Sequence, residues 1–364
     1  LMRKNSSPEK GYQRKIISET KELVAVDILV CPLHEMTKKL GIPEITSVVC
    51  LIDKGQMTGF KHIEYTRTKA LGDGDNFCDY RLRYDKEKNN WERKKMFYNA
   101  KNHRVTIDGD TTDFISFGKG KKNLVIIPGV GDGLKTAKGL AIPFAFMYRL
   151  FAKDFTVYVM SRKNNVPENY NTRQMAFDMH KVLRSVGVEK TSVVGVSMGG
   201  MIAQYLAIDF PEFVERLVLT VTLSRPNDVE KERCNAWIKS AEQKDYVAIM
   251  KDSALHSYSD QYLRKNKLML NMISKIGSPK NFDRFITFSK ACTTHNAYEE
   301  LEKITSPTLV IGGKQDKIVT YGASEEIVSK IPNAKLKTYQ EYGHALYEEA
   351  KDFNNVVYEF CCGE

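Results

Sequence analysis

The segment Ser192-Val193-Val194-Gly195-Val196-Ser197-Met198-Gly199-Gly200-Met201-Ile202-Ala203 constrains this chain more than any other. A β-branched apolar run enters a G-x-S-x-G pentapeptide and leaves it as an apolar run with helical character. A serine forced into a strained backbone at so sharp a corner needs neighbours two positions away without clashing side chains, and glycine supplies them. The turn lifts the hydroxyl above the end of a sheet and sets it at a helix N-terminus, where developing negative charge is stabilised. The pentapeptide alone is common at tight turns. A strand before it and a helix after it make Ser197 a candidate nucleophile.

Around that corner the pattern is regular from Arg104 onward. Short apolar runs at Asp113–Phe117, Leu124–Ile127, Thr156–Met160, Thr191–Val194, Leu217–Thr222, Thr308–Ile311 and Lys335–Tyr339 read as strands. Helices are expected over Thr172–Val186, with Thr172 as N-cap, and over Gly199–Asp209 and Ala323–Ile331. Such alternation predicts an α/β fold with a mostly parallel sheet flanked by helices. From about residue 227 to 302 only helical periodicity remains, carried by Trp237, Ile249, Leu268, Met272, Ile273 and Ile276, so a helical cap is expected there. The first hundred residues differ. A helix over Tyr12–Leu23, a hairpin from Lys61 to Tyr84 and a linker at Lys86–Asn90 predict a small N-terminal α+β domain (1–100) before the main domain (104–364). No repeat or low-complexity tract is present.

Composition excludes several classes of function. The 55 Lys+Arg against 45 Asp+Glu give a net charge of +10. That excess divides evenly, +5 over residues 1–110 and +5 over the rest. It therefore reads as a lysine-rich surface and not as a nucleic-acid footprint. The most apolar stretch, Gly139 to Phe151, is interrupted by Pro143 and Arg149 and falls short of the ~20 residues of a membrane span. The opening residues, Leu1 to Ser6, carry no apolar core or cleavage site of a secretory signal. Seven scattered cysteines suit a reducing compartment. A cytoplasmic location is expected.

A nucleophilic serine needs a base, and the base needs an orienting acid. His344, in Glu341-Tyr342-Gly343-His344-Ala345, follows a strand and opens the last helical region. Asp316 follows the strand Thr308–Ile311; Asp228, after Leu217–Thr222, is the alternative acid. Both His344 and Asp316 fall at the carboxyl ends of strands, where α/β sheets build their sites. His34, His62, His103, His180, His256 and His295 lack that position.

These residues, in the order Ser-Asp-His, identify 104–364 as resembling the α/β-hydrolase superfamily. The resemblance implies that Ser197 attacks, His344 relays the proton and Asp316 holds the imidazole. It also implies an oxyanion hole from the backbone N–H of Met198 and a second donor after the strand Leu124–Ile127. There the family's common His-Gly is replaced by Pro128-Gly129. Val130 is the natural second donor, with Gly131 the alternative. Ser197 excludes the aspartate-nucleophile branches of the superfamily. Gly129-x-Gly131-x-Gly133 lacks dinucleotide-binding spacing, and no H-x-x-x-H occurs near the triad. No cofactor and no metal are expected.

The leading residues carry Cys31-Pro32-Leu33-His34, Cys50 with Asp53, and Arg67-Thr68 through Leu71-Gly72-Asp73 to Cys78-Asp79. They resemble the L-2-amino-thiazoline-4-carboxylate hydrolase-like domain over roughly 12–84. A thiolate nucleophile or a Cys/His metal site at Cys31, His34, Cys50 and Cys78 stands against small cysteines buried for packing, and packing is favoured. The expectation for the whole chain is a serine hydrolase acting on an ester, thioester or lactone of a small molecule, with neither nucleic acid nor membrane as partner. A ligand sensor on the same fold, or an acyltransferase, would need the same three residues.

Overall fold

The structure is a computed structural model that describes residues 12–39, 46, 50, 63–85, 97–273 and 278–363. The chain divides into two compact units, Leu1–Asn99 and Ala100–Glu364.

In the first unit, β1 (Gln13–Glu19), β2 (Leu23–Val30), β3 (Ile63–Thr66) and β4 (Cys78–Tyr84) form an antiparallel sheet in the order β1-β2-β4-β3, beside helix α1 (Pro32–Lys39). The helix expected over Tyr12–Leu23 is instead strand β1, a turn and the start of β2. Arg14 pairs with Ile28 and Ile16 with Val26. The turn closes with Leu23 N–H donating to Thr20 Oγ1 at 2.9 Å. Ile16 and Ile17 stay exposed on this edge strand, so a helical apolar face would gain little burial here, and ladder pairing with β2 wins. The expected hairpin appears as the antiparallel pair β3·β4. Its small core is Val26, Ile28, Ala70, Leu71 and Cys78. The linker expected at 86–90 lies outside the described residues.

The second unit is an eight-stranded sheet built from β5 (Lys101–Ile107), β6 (Asp110–Gly118), β7 (Lys122–Ile127), β8 (Phe155–Lys163), β9 (Thr191–Val196), β10 (Val214–Thr220), β11 (Thr308–Gly313) and β12 (Ala334–Tyr339). The strand order is β12-β11-β10-β9-β7-β8-β6-β5. Strands β7 to β12 pair in parallel, and β5 and β6 add an antiparallel edge. The continuous apolar run of β7 is buried on both faces, as a central parallel strand requires. Strand β5 has no place in the sequence reading, because its polar alternation Lys-Asn-His-Arg belongs to a half-exposed edge.

Helices α2 (Ala141–Met147), α3 (Thr172–Ser185), α4 (Met198–Asp209), α9 (Tyr321–Lys330), α10 (Leu346–Glu349) and α11 (Phe353–Cys362) belong to the sheet domain. The N-cap of α3 is Asn171 and not Thr172. Asn171 Oδ1 accepts from Gln174 N while Gln174 Oε1 accepts from Asn171 N, a reciprocal capping box. Helix α4 is buried along nearly its whole length, as its mostly apolar sequence requires, with buried Gln204 donating to the Leu223 carbonyl at 2.9 Å. Between β10 and β11 lie α5 (Asp228–Glu242), α6 (Tyr246–Ser257), α7 (Asp260–Ile273) and α8 (Asp283–Thr293), the helical cap. Ile276, counted in its periodicity, lies outside the described residues. Among the described residues no helix is long and apolar enough to cross a membrane. All seven cysteines are free.

Candidate active site

Strand β9 ends at Val196 and helix α4 begins at Met198, so the chain reverses through Ser197 alone. Its backbone sits at φ 54, ψ −122, a left-handed conformation that a non-glycine residue enters only under constraint. Two hydrogen bonds supply that constraint. Ser197 N–H donates to the Thr220 carbonyl at 2.9 Å, and Thr222 Oγ1 donates to the Ser197 carbonyl at 2.8 Å. The corner closes so tightly that a Cβ on Gly195 would lie 2.5 Å from the Gly199 carbonyl oxygen.

The expected oxyanion donors occupy positions that leave an N–H to spare. Met198 is the first residue of α4, and Val130 is the first of the short 3-10 turn Val130–Gly133 after β7. Opening N–H groups of a helix have no intrahelical acceptor. Gly129, before that turn, comes close to Ser197: a Cβ placed on it would lie 3.4 Å from Ser197 Cβ.

Asp316 follows β11 and is buried, as is His344 after β12. Asp316 Oδ1 accepts from the backbone N–H groups of Ile318 at 2.8 Å and Val319 at 3.0 Å, which leaves Oδ2 facing His344 Nδ1 at 2.9 Å. An ionised carboxylate only accepts, so this contact assigns the proton to Nδ1 and leaves Nε2 with the basic lone pair. Ser197, His344 and Val130 line one cavity of about 340 Å³, together with Pro128, Trp237 and Tyr347. The alternative acid, Asp228, is exposed in the first turn of α5 and does not line the cavity.

The remaining described histidines have other surroundings. His295 is fully buried between Thr172 Oγ1 (2.9 Å) and Gln204 Oε1 (3.3 Å), and burial lowers its pKa to about 3. His103 stacks on Phe114 and His180 on Phe210. His62 lies outside the described residues. In the first unit Cys31 and Cys50 are half-buried and Cys78 is buried. Burial pushes the Cys50 and Cys78 thiols up, away from the thiolate a nucleophile or metal ligand needs.

Among the described residues one group has ligand atoms close enough for a metal, namely Glu230, Cys234 and Cys292, all buried. Cys234 Sγ donates to Glu230 Oε1 at 3.0 Å. Its thiol is held far above the usual range by its hydrogen bond with Cys292 and by burial. A protonated, hydrogen-bonded thiol accounts for the approach of these groups.

The sequence reading missed three charged residues at the Pro128–Gly133 loop: Asp132 within it, and Arg162 and Arg284, which contact it. Arg162 donates to the carbonyls of Pro128 and Gly129, and Arg284 reaches Asp132 from the cap. The available signal was Arg162, two residues past the end of the apolar run of β8 at Met160, at a position the sheet buries.

Known proteins agree with this architecture. Residues 122–351 match the family model described as alpha/beta hydrolase fold, and residues 2–82 match that of L-2-amino-thiazoline-4-carboxylic acid hydrolase. The chain is 25% identical over 210 residues to a Stutzerimonas stutzeri protein named "Putative carbamate hydrolase RutD", covering 55% of this chain and 78% of that one. It is 20% identical over 188 residues to the 3-oxoadipate enol-lactonase 2 of Acinetobacter baylyi, covering 52% and 70%. Among solved structures, MGS-M2, an α/β hydrolase enzyme from a Medee basin deep-sea metagenome library, superposes with a TM-score of 0.63 at 19% identity, covering 72% of this chain and 98% of that one. The enol-lactonase from Burkholderia xenovorans LB400 superposes with a TM-score of 0.62 at 18% identity, covering 71% and 99%. With well over half of its length matched by the family model, this chain belongs to the α/β-hydrolase fold family and is an enzyme of that family.

Proposed function

We propose that the protein is a serine hydrolase that cleaves an ester, thioester or lactone bond of a small molecule through an acyl-enzyme on Ser197. The observation that carries this reading is the His344 Nδ1–Asp316 Oδ2 contact at the wall of the cavity that also exposes Ser197. In this mechanism Ser197 Oγ attacks the carbonyl carbon while its proton passes to His344 Nε2. Asp316 stabilises the imidazolium that forms. The carbonyl oxygen becomes an oxyanion between the N–H groups of Met198 and Val130, in a cavity that limits its hydration. Collapse of the intermediate breaks the bond to the leaving group, which takes the proton from His344. Water, deprotonated by the same imidazole, then releases the acid and restores Ser197.

The names of the relatives support a carbonyl substrate, since a carbamate and an enol-lactone both present a carbonyl to a nucleophile. The cavity of about 340 Å³ suits a small molecule. Labelling by a fluorophosphonate, read by intact mass, tests the reading. One adduct is expected on the native protein and none on Ser197→Ala, and a native protein that takes no label sinks it. Sustained turnover of p-nitrophenyl butyrate separates hydrolysis from the sensor alternative, which would stop after one stoichiometric burst.

A further inference from the structure

The next-to-last residue of strand β8 is an arginine whose guanidinium is buried. Arg162 is 2% exposed, and its Nη2 donates to the Pro128 carbonyl at 2.7 Å and the Gly129 carbonyl at 3.1 Å. Its backbone N–H donates to Asp132 Oδ2 at 3.0 Å, and its Nη1 lies 3.7 Å from the same oxygen. Arg284, on cap helix α8, donates to that oxygen at 3.0 Å. Phe288 of α8 faces both guanidiniums, at 5.5 Å from Arg162 and 5.2 Å from Arg284. The helix presses on the loop so closely that a Cβ on Gly133 would fall 2.7 Å from Phe285 Cα.

The peptide geometry gives these contacts a direction. No peptide in the described chain is cis, so the Gly129 carbonyl and the Val130 N–H of their shared peptide point opposite ways. Holding the Gly129 oxygen towards Arg162 therefore turns the Val130 N–H away from it, and Gly129, Val130 and Ser197 line the same cavity. We propose that Arg162, braced by Asp132 and Arg284, is a positioning residue that aims the Val130 N–H at the reacting carbonyl oxygen and makes that aim depend on the seating of cap helix α8. The inference rests on the serine-hydrolase reading, in which Val130 is an oxyanion donor.

The cost of the arrangement argues for such a role. Burial works against the charge on Arg162, Asp132 favours it and Arg284 opposes it. An apolar side chain of similar volume fills a buried site without that cost, so packing alone does not call for a guanidinium here. Two guanidiniums share one carboxylate, leaving positive charge behind the loop, the sign that favours an oxyanion. Both carbonyls are held by Nη2 while Nη1 faces Asp132, so a lysine, with a single nitrogen, could meet the carbonyls only by giving up the side of the fork that faces the carboxylate.

The test uses the full chain with Arg162→Met, Arg162→Lys and Arg284→Met. Turnover of p-nitrophenyl butyrate is measured alongside hydrogen exchange of the segment 126–134. Arg162→Met is expected to lower kcat about 100-fold with KM within about threefold, the pattern of a lost transition-state donor. Exchange over 126–134 rises while the other strands keep their protection. Arg162→Lys recovers part of kcat. Arg284→Met, which leaves Arg162 and Asp132 in place, loses about tenfold in kcat with the same constant KM, and carries the test should Arg162→Met not fold. A kcat within threefold of the native value, or a loss shared equally by KM, overturns the proposal, as does unchanged exchange over 126–134. A native protein that neither turns over esters nor takes a fluorophosphonate overturns the hydrolase reading instead, and the exchange data then decide by themselves whether Arg162 orders the loop.

Discussion

Gly199 stands against Ile127 so closely that a Cβ placed on it would fall 1.9 Å from the Ile127 carbonyl oxygen and 2.9 Å from that of Pro128. The first turn of α4 thus rests directly on the end of β7, where the loop bearing Val130 begins. The serine corner and the proposed second oxyanion donor are held together by backbone contact with no room for a methyl group.

Gly199→Ala is therefore expected to cost roughly 1–3 kcal/mol of stability, because backbone cannot swing aside as a flexible side chain can. Urea unfolding of the two proteins measures it. A loss of only a few tenths of a kcal/mol would mean that the corner has slack the structure does not give it.

The two candidate acids separate cleanly. Asp316→Asn is expected to lower kcat by about 10³–10⁴-fold, since an amide in that place favours the wrong imidazole tautomer. Asp228→Asn, at an exposed helix start away from the cavity, is expected to stay within twofold of the native enzyme. Steady-state assays with p-nitrophenyl butyrate decide, and an inverted result would transfer the acid's role to Asp228.

His295 gives the fold a pH dependence of its own. Its folded pKa of about 3 lies below the unfolded value near 6.5, so below about pH 6.5 the unfolded chain binds the proton and the folded one does not. The stability this site contributes is complete above pH 6.5 and is lost as pH falls towards 3. From pH 7 to pH 5 the loss is about 2 kcal/mol, at ~1.4 kcal/mol per pH unit below 6.5. Unfolding at the two pH values should show that slope in the native protein. In His295→Gln this part of it should be missing; an equal slope would show that other groups produce it.

The capping box on α3 makes a smaller claim. Asn171→Ala removes the acceptor for Gln174 N, and about 1 kcal/mol of stability should go with it. Thermal unfolding reads the effect. No shift at all would mean that the first turn of α3 is held by its packing alone.

Much of the architecture was legible in the residues because its signals are local. The apolar runs of β7, β9, β10 and β11 announce themselves through β-branched side chains, and a strand, a G-x-S-x-G and a helix in succession specify a corner without reference to the rest of the molecule. Tyr12–Leu23 misled because a few apolar residues in a polar stretch fit a helix and a strand alike, and only the partner strand β2 decides between them.

By itself, then, the sequence determined the order of strands β6 to β12, the corner at Ser197, the helical character of the stretch between β10 and β11 and the positions of Asp316 and His344 after their strands. Each of these depends on side-chain periodicity or backbone sterics within a few residues. Tertiary structure alone decided which acid reaches the histidine, since Asp316 and His344 lie 28 residues apart and meet only because β11 and β12 pair in parallel. It also decided that Arg162, Asp132 and Arg284 share one buried site. No periodicity brings together a strand end, a loop and a cap helix, because the electrostatic attraction that joins them acts through space and not along the chain.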